Sequence, residues 1–161
     1  MADACCAPET PLGGTAVAEH CPGCGKPGRP VGLRTVQSQV AYSLRVLAAS
    51  PYQFCATQRC AVVYYTTAAP PITCDQLREH VFQKAPGGAV LVCYCFHYRV
   101  DVIQQSDRAA RAAILADIVA GTRQEQCACA LRNPQGSCCL GNVRRLLRMS
   151  EPNAIVEVEK A

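Results

Sequence analysis

Residues 21–33 read CPGCGKPGRPVGL and open with two cysteines that are separated by two residues. A Cys-x2-Cys spacing next to glycine is typical of a metal-binding knuckle, because glycine permits the tight turn that directs both thiols toward one ion. A second pair follows about thirty residues later with a Cys-x4-Cys spacing. Four thiolates around Zn²⁺ form the usual closed structural site. The two pairs therefore predict a zinc site formed by Cys21, Cys24, Cys55 and Cys60.

Cysteine is abundant throughout, with 13 among the 161 residues. The N-terminal stretch MADACCAPETPLGG has neither the basic nor the apolar segment of a secretory signal, and no apolar run approaches the ~18 residues of a membrane span. We therefore expect a cytoplasmic protein without a membrane span, whose reduced thiols bind metal rather than form disulfides. The net charge of +4 comes from scattered basic residues, so nucleic-acid binding is not expected.

The first half of the chain has few large apolar residues, so a metal cross-link would supply part of its folding free energy. Val36, Val40, Leu44 and Leu47 follow helical spacing and predict one helix over residues 35–50. The β-branched and aromatic stretch after Cys60 predicts a strand. The segment AAPPIT at residues 68–73 is linker-like in composition, and we expect a domain boundary near residues 68–71.

The second half is predicted to be mainly helical. We expect a short helix within residues 74–83 with Cys74 in the core, a strand at AVLVCYCF, a helical segment at residues 100–105 and a terminal helix at residues 140–149. A longer helix over residues 106–122 has Ser106 or Asp107 as its cap and Gly121 at its end.

These elements predict an α+β fold in which a small zinc-knuckle lobe, made of short strands and a helix, precedes a mainly helical lobe that binds a second cofactor. The expected divisions are a disordered tail (1–19), a zinc-binding domain (20–70), a domain (71–150) whose cysteines at residues 93–95 and 127–139 predict [2Fe-2S] binding, and a C-terminal tail or edge strand (151–161).

A second group of cysteines follows the first. Cys93 and Cys95 form a Cys-x-Cys motif after an apolar strand, and a stretch reading CACALRNPQGSCC contains Cys127, Cys129, Cys138 and Cys139. A [2Fe-2S] cluster needs four thiolates of this kind, two for each iron. A second all-cysteine zinc site is the alternative, although Cys-x-Cys is less usual in zinc knuckles. From the spacing alone, Cys127 with Cys138 is as simple a choice as Cys129 with Cys139.

In this order, the segments CPGCGKPGRPV, YQFCATQRCAVVYY, VCYCF and CALRNPQGSCC resemble the N-terminal zinc/[2Fe-2S] region of the CopZ copper chaperone family, over residues 20–148. The second half also resembles the [2Fe-2S] domain of bacterioferritin-associated ferredoxins. The resemblance to CopZ implies one zinc ion, one [2Fe-2S] cluster and one-electron reduction of copper. It further implies that the cluster ligands are Cys93, Cys95, Cys129 and Cys139, with Cys127 and Cys138 as alternates.

CopZ proteins also carry Cu(I) on a Met-x-Cys-x-x-Cys motif, and that motif does not occur in these 161 residues. A separate heavy-metal-associated domain protein or a metal-transporting ATPase could be the partner that handles copper. Cys5 and Cys6 are a second candidate, because vicinal thiols suit Cu(I) and other soft ions.

The predicted function is that of a zinc- and [2Fe-2S]-containing, metallochaperone-like redox protein. It would pass single electrons to a soft metal ion, copper above all, or to a partner protein in metal homeostasis or resistance. Two alternatives remain open: a non-redox interaction module with two structural zinc sites, and a protein that sequesters soft metals through its thiols. No paired-carboxylate or Ser/His/Asp arrangement predicts an enzyme, and Cu(II) reduction is the one turnover that the resemblance to CopZ implies.

Overall fold

The computed structural model describes residues 18–85 and 87–149. The predictions for the tail that contains Cys5 and Cys6, and for the edge strand after residue 150, lie outside the described residues.

A four-stranded antiparallel sheet organises the first part of the chain. Its strands are neighbours in chain order: β1 (Arg29–Val31), β2 (Tyr52–Phe54), β3 (Val62–Tyr65) and β4 (Ile72–Thr73). Val31 pairs with Tyr52, and Gln53 pairs with Tyr65. The predicted strand after Cys60 is thus present as β3. Strand β4 lies in the stretch expected to be a linker, so the sheet continues beyond the prolines at residues 70 and 71.

Helix α1 (Leu33–Gln39) covers this sheet and closes the first core. Every residue of β2 and β3 is buried: Val63 and Tyr64 lie in the first core, whereas Val62 and Tyr65 pack with the cysteines of residues 21–60. The core consists of Val31, Val36, Val40, Tyr52, Phe54, Val63, Tyr64, Ile72 and Val81.

The helix predicted over residues 35–50 is wrong in its second half. The chain leaves the helix at Val40, which is extended (φ −67°, ψ 139°), and the next amide, that of Ala41, donates to the Gln76 carbonyl at 2.8 Å. This strand-like contact replaces the next helical turn. Leu44–Val46 form only a 3-10 turn, and Val46 is 66% exposed, so the apolar spacing there does not indicate a buried helix face.

The segment 74–83 also departs from its prediction. It contains only a 3-10 turn at Cys74–Gln76, and the side chains of Thr73 and Gln76 form a capping box at the N-terminal end of this turn. Leu77 then forms an isolated bridge with Val40 instead of continuing a helix. Cys74 is exposed rather than in the core.

The second part contains a short hairpin and most of the helices. The hairpin pairs β5 (Leu91–Cys93) with β6 (Tyr98–Arg99). The helices are α2 (Val100–Gln105), α3 (Arg108–Arg123), α4 (Cys129–Arg132) and α5 (Leu140–Met149). Their core is formed by Val92, Cys93, Ile103, Ile114, Ile118, Cys139, Val143 and Leu146.

Helix α3 begins as the sequence predicts, since the Asp107 side chain accepts from the Ala110 amide at 2.8 Å. It does not end at Gly121 but continues to Arg123. Gly121 has a packing role instead: a Cβ atom there would lie 2.7 Å from Cε1 of Phe96, on the turn that follows the Cys-x-Cys motif.

The mixed helices and antiparallel sheets confirm the α+β class, whereas the division into two lobes and its boundaries stay predictions. Within the described ranges, no helix is both long enough and apolar enough to cross a membrane.

Candidate metal centres

The turn after Cys21 forms a knuckle whose backbone directs N–H groups at sulfur. The Gly25 amide donates to the Cys21 carbonyl at 2.8 Å, and Gly25 has a left-handed φ of 69°. Backbone amides of Gly23 and Cys24 bond the Cys21 sulfur, and that of Lys26 bonds the Cys24 sulfur. This geometry stabilises thiolates and explains why the sequence needs glycine after the second cysteine.

The second pair lies on the loop between β2 and β3. Cys55 follows β2 directly, its amide donates to the Val63 carbonyl at 2.8 Å, and Cys60 closes a turn on the Thr57 carbonyl at 3.1 Å. The Val62 amide bonds the Cys60 sulfur. The sheet register therefore fixes both thiols against the knuckle.

The four sulfurs of Cys21, Cys24, Cys55 and Cys60, called the first cysteine set, all lie within 4.8 Å of one another. The Cys21–Cys60 and Cys24–Cys55 sulfur pairs are each 3.7 Å apart. A Zn–S bond of ~2.3 Å in a tetrahedron requires sulfur separations of about 3.8 Å. The donor set and its spacing thus fit one zinc ion.

Thiol acidities within this set differ. Burial raises the pKa of Cys21 to about 12, whereas a hydrogen bond with Thr57 lowers the pKa of the more accessible Cys24 to about 6. Burial also raises the pKa of Cys60. Because thiolates, not thiols, bind zinc, ligation must remove protons that burial alone would retain.

The second half brings another four thiols together, but as two pairs. The sulfurs of Cys95 and Cys129 are 3.6 Å apart, and the thiols of Cys93 and Cys139 are in hydrogen-bonding contact. We call these four residues the second cysteine set. The Cys93–Cys139 pair is buried, while Cys95 and Cys129 are partly exposed.

This second set is not a compact cage. In the part of the chain that the structure describes, only the first set gives three or more metal-ligating groups whose atoms all lie within 4.8 Å of one another. Two close pairs held further apart are what a two-iron cluster needs, since each iron takes two thiolates.

Charge within the second set is shared unequally. The hydrogen bond between the two thiols lowers the pKa of Cys93 to about 7 and raises the pKa of Cys139. Burial raises the pKa of Cys129 to about 12. The Ala128 amide approaches the Cys95 sulfur at 3.3 Å. One thiolate in the buried pair is therefore favoured, and a second one there needs a cation.

The alternates lie outside these pairs. Cys127 is partly exposed, and Cys138 is exposed with its carbonyl accepting from the Gln135 side chain at 2.9 Å. The NPQG loop, residues 133–136, forms a turn: the Gly136 amide donates to the Asn133 carbonyl at 2.8 Å, and Gly136 has a φ of 68°.

The first part of the chain holds the segment that carries Cys129 and Cys139. From α1, Thr35 donates to the Ala130 carbonyl at 2.6 Å, and Ser38 and Gln39 donate to the Leu131 carbonyl at 2.6 and 2.8 Å. These three contacts fix α4, which begins at Cys129, against the first helix.

The sheet fixes the NPQG loop in the same way. The hydroxyl of fully buried Tyr64 donates to the Pro134 carbonyl at 2.6 Å. Gly136 packs so closely that a Cβ atom there would lie 2.8 Å from Cγ2 of Val31. Sequence reasoning did not identify Tyr64 or Thr35, because nothing local marks a tyrosine or threonine as a long-range partner.

Comparison with known proteins agrees with this geometry. Residues 18–78 match the family model zf_CopZ, described as a zinc binding domain. The X-ray structure of the Archaeoglobus fulgidus CopZ N-terminal domain is similar with a TM-score of 0.61 and 25% sequence identity, covering 79% of this chain and 96% of that one. No curated protein matches the chain.

The family match and the four-sulfur cage together support zinc binding by the first part of the chain. The predicted resemblance to the CopZ zinc region is thereby confirmed. The iron-sulfur part of that resemblance stays a prediction.

Proposed function

We propose that this chain is a metal-handling redox protein with one zinc ion and one [2Fe-2S] cluster, and that it passes single electrons to a soft metal ion, copper above all, or to a partner protein. Zinc would be held by Cys21, Cys24, Cys55 and Cys60, and the cluster by Cys93, Cys95, Cys129 and Cys139. The observation that carries the proposal is the paired arrangement of the second set beside the compact cage of the first.

A bound [2Fe-2S] cluster would supply one-electron chemistry at the second set. The protein's own residues would supply an asymmetric environment for it. Cys93 and Cys139 are 0% and 2% exposed, whereas Cys95 and Cys129 are partly exposed. A redox partner or a soft ion could therefore approach a bound cluster at the exposed pair. The buried pair would keep its own ligands away from water.

Copper as the acceptor rests on the likeness to a protein named CopZ and on the abundance of soft thiol ligands. Cys127 and Cys138 lie beside the cluster ligands in sequence, and Cys138 is exposed. They could receive a soft ion near the exposed pair. Cys5 and Cys6 remain the other proposed contact for such an ion.

The test is anaerobic purification followed by iron, sulfide and zinc analysis, visible absorption, and EPR before and after dithionite. We expect about two irons, two sulfides and one zinc per chain, with an EPR signal that appears only on reduction. The reduced protein should then convert Cu(II) to Cu(I), detected with a Cu(I)-specific chelator.

A colourless protein with about two zinc ions, even after anaerobic cluster reconstitution, would contradict the redox proposal. That outcome would instead favour an interaction module with two structural zinc sites. A different outcome is that cells producing the Cys5→Ser/Cys6→Ser variant lose tolerance to soft metals while cells with substitutions in the second set keep it. Sequestration by thiols would then be the better proposal.

A further inference from the structure

Lys84 is a buried cation beside the first cysteine set. Lys84 is only 8% exposed, which is unusual because lysine is almost never fully buried unless it is paired. The residue lies in a helical turn in which the amides of Lys84 and Ala85 both donate to the Val81 carbonyl at 2.9 Å. Val81 is part of the first core, so the turn is anchored there.

The ammonium group contacts the loop that carries two of the four thiols. Lys84 Nζ donates to the Thr57 carbonyl at 3.0 Å and to the Cys60 carbonyl at 2.9 Å. Thr57 lies within the Cys55–Cys60 loop, and Cys60 is its last residue. The contact joins a segment of the second half of the sequence directly to the candidate zinc loop.

These carbonyls satisfy hydrogen bonds but do not neutralise the charge. Within residues 18–85 and 87–149, the ion pair found is that of Arg99 and Asp101, and Lys84 pairs with no carboxylate. Burying an ammonium without a nearby anion is strongly unfavourable, because the lost hydration is not regained. A compensating negative charge should therefore be close to the Cys55–Cys60 loop.

A neighbouring thiol is a poor candidate for that anion. Cys74 is near enough for the charge of Lys84 to favour its thiolate, yet burial dominates and raises the pKa of Cys74 overall. Cys74 is therefore a neutral thiol near pH 7. The first cysteine set is different, because four thiolates around one Zn²⁺ carry a formal charge of about −2.

Lys84 is also held in place. The Phe82 amide donates to the Tyr94 hydroxyl at 2.9 Å, and that hydroxyl donates to the His80 carbonyl at 2.7 Å. Gln83 is hydrogen-bonded to Gln135 of the NPQG loop. The turn that bears Lys84 is thus fixed on both sides of the residue, which holds the base of its side chain beside the Cys55–Cys60 loop.

We propose that Lys84 is the built-in counter-cation of a zinc tetrathiolate at Cys21, Cys24, Cys55 and Cys60. It positions the Cys55–Cys60 loop through two carbonyls and offsets the negative charge of the bound site. The inference rests on the zinc site proposed above and adds a residue that no cysteine motif reveals.

The test compares full-length, zinc-loaded wild type with Lys84→Met, which keeps the volume but not the charge, and with Lys84→Arg, which keeps the charge. Arg29→Met is the control, because Arg29 is an exposed cation on β1 that the zinc site does not use. Two quantities are measured: Zn²⁺ affinity by competition with a chromophoric chelator, and the rate at which iodoacetamide alkylates the zinc-bound thiolates. Co²⁺ substitution reports whether the tetrahedral sulfur site is intact.

We expect Lys84→Met to bind Zn²⁺ about 10- to 100-fold more weakly, the range typical for loss of a group that supports metal ligands. Its zinc-bound thiolates should be alkylated several-fold faster, since the offsetting charge is gone. Lys84→Arg and Arg29→Met should resemble wild type, and the Co²⁺ spectrum should be the same in all four proteins.

Wild-type affinity together with a wild-type alkylation rate in Lys84→Met would overturn the inference and leave the zinc site itself intact. Absence of zinc from the wild-type protein would overturn both this inference and the zinc assignment. If Lys84→Met does not fold, Lys84→Gln replaces it in both measurements, because glutamine keeps an amide donor for one carbonyl but carries no charge.

Discussion

The two cysteine sets are built from the same residue type in different ways. The first forms a cage from two pairs, each local in sequence, with all sulfurs within 4.8 Å of one another. The second forms two separate pairs, and each pair joins the Cys-x-Cys motif to a residue more than 30 positions later, as with Cys95 and Cys129, 34 positions apart. A compact cage suits one ion, whereas separated pairs suit a two-metal cluster.

The sets also differ in what holds them. Strands β2 and β3, which flank Cys55 and Cys60, pair with each other, and the first set packs against β3. The segment with Cys129 and Cys139 is instead fastened to α1 and β3 through Thr35, Ser38 and Tyr64. The first site therefore supports itself, and the second depends on the part of the chain that contains the first.

The largest effect is expected from opening the first set. Cys55→Ser should abolish zinc binding and cost several kcal/mol of folding free energy, because the metal cross-links a small core. The dependence just described implies that iron content falls as well. Cys74→Ser, which changes an exposed cysteine, is the control and should change neither metal. Retention of full iron content in zinc-free Cys55→Ser protein would show that the second site is independent.

The ligand pairs of the second set can be distinguished by four single variants. Cys129→Ser and Cys139→Ser should lose the visible absorption of the cluster, since each removes a thiol from a close pair. Cys127→Ser and Cys138→Ser should retain it. A cluster lost from Cys127→Ser or Cys138→Ser instead would assign the ligands to the alternates.

Alanine substitutions at two glycines near the second set should change the free energy of unfolding in opposite directions. Gly121→Ala should destabilise the protein by about 1–3 kcal/mol, because its Cβ would overlap the Phe96 ring. Gly141→Ala has no heavy atom within 4 Å of the new Cβ and should stabilise α5 by up to about 1 kcal/mol. Thermal unfolding of both variants measures the difference, and equal melting temperatures would contradict it.

Tyr64 tests the connection between the two sets. Tyr64→Phe leaves the buried Pro134 carbonyl without its hydroxyl donor and should cost about 1–3 kcal/mol. It should also shift the visible circular dichroism of the second site. Tyr52→Phe is the matched control: it removes the bond from the Ala48 amide at 3.1 Å in the same core, but Tyr52 does not contact the NPQG loop. The visible circular dichroism of Tyr52→Phe should be unchanged. Identical spectral shifts in both variants would contradict the idea that Tyr64 connects the two sets through the NPQG loop.

The smallest expected effect is a difference in thiol reactivity in the metal-free protein. Near pH 7, Cys24 is mainly thiolate because its pKa is lowered to about 6, whereas Cys74 is a neutral thiol because partial burial of its side chain raises its pKa. Thiolate is the reactive form, so mass spectrometry should find Cys24 alkylated before the exposed Cys74. Raising the pH should reduce this difference. Equal rates near pH 7 would contradict the assignment.

Local features were predicted well from the sequence. The sequence predicts the knuckle at Cys21, strand β3, the Asp107 cap of α3 and helix α5 from glycine, capping and periodicity signals that act over a few residues. The predictions fail where a residue contacts a distant part of the chain. Val40 ends its helix and forms a bridge with Leu77, and Gly121 packs against the Phe96 ring instead of ending a helix.

The sequence by itself determined which residue types could bind metal and that the first four cysteines form two knuckle-like pairs. Only the tertiary structure decided how Cys93, Cys95, Cys129 and Cys139 pair, that Tyr64 and Thr35 hold their loop, and that Lys84 is buried against the Cys55–Cys60 carbonyls. The physical reason is range. Turn and cap preferences are fixed by neighbouring residues, whereas long-range pairing depends on which surfaces the packed elements bring together.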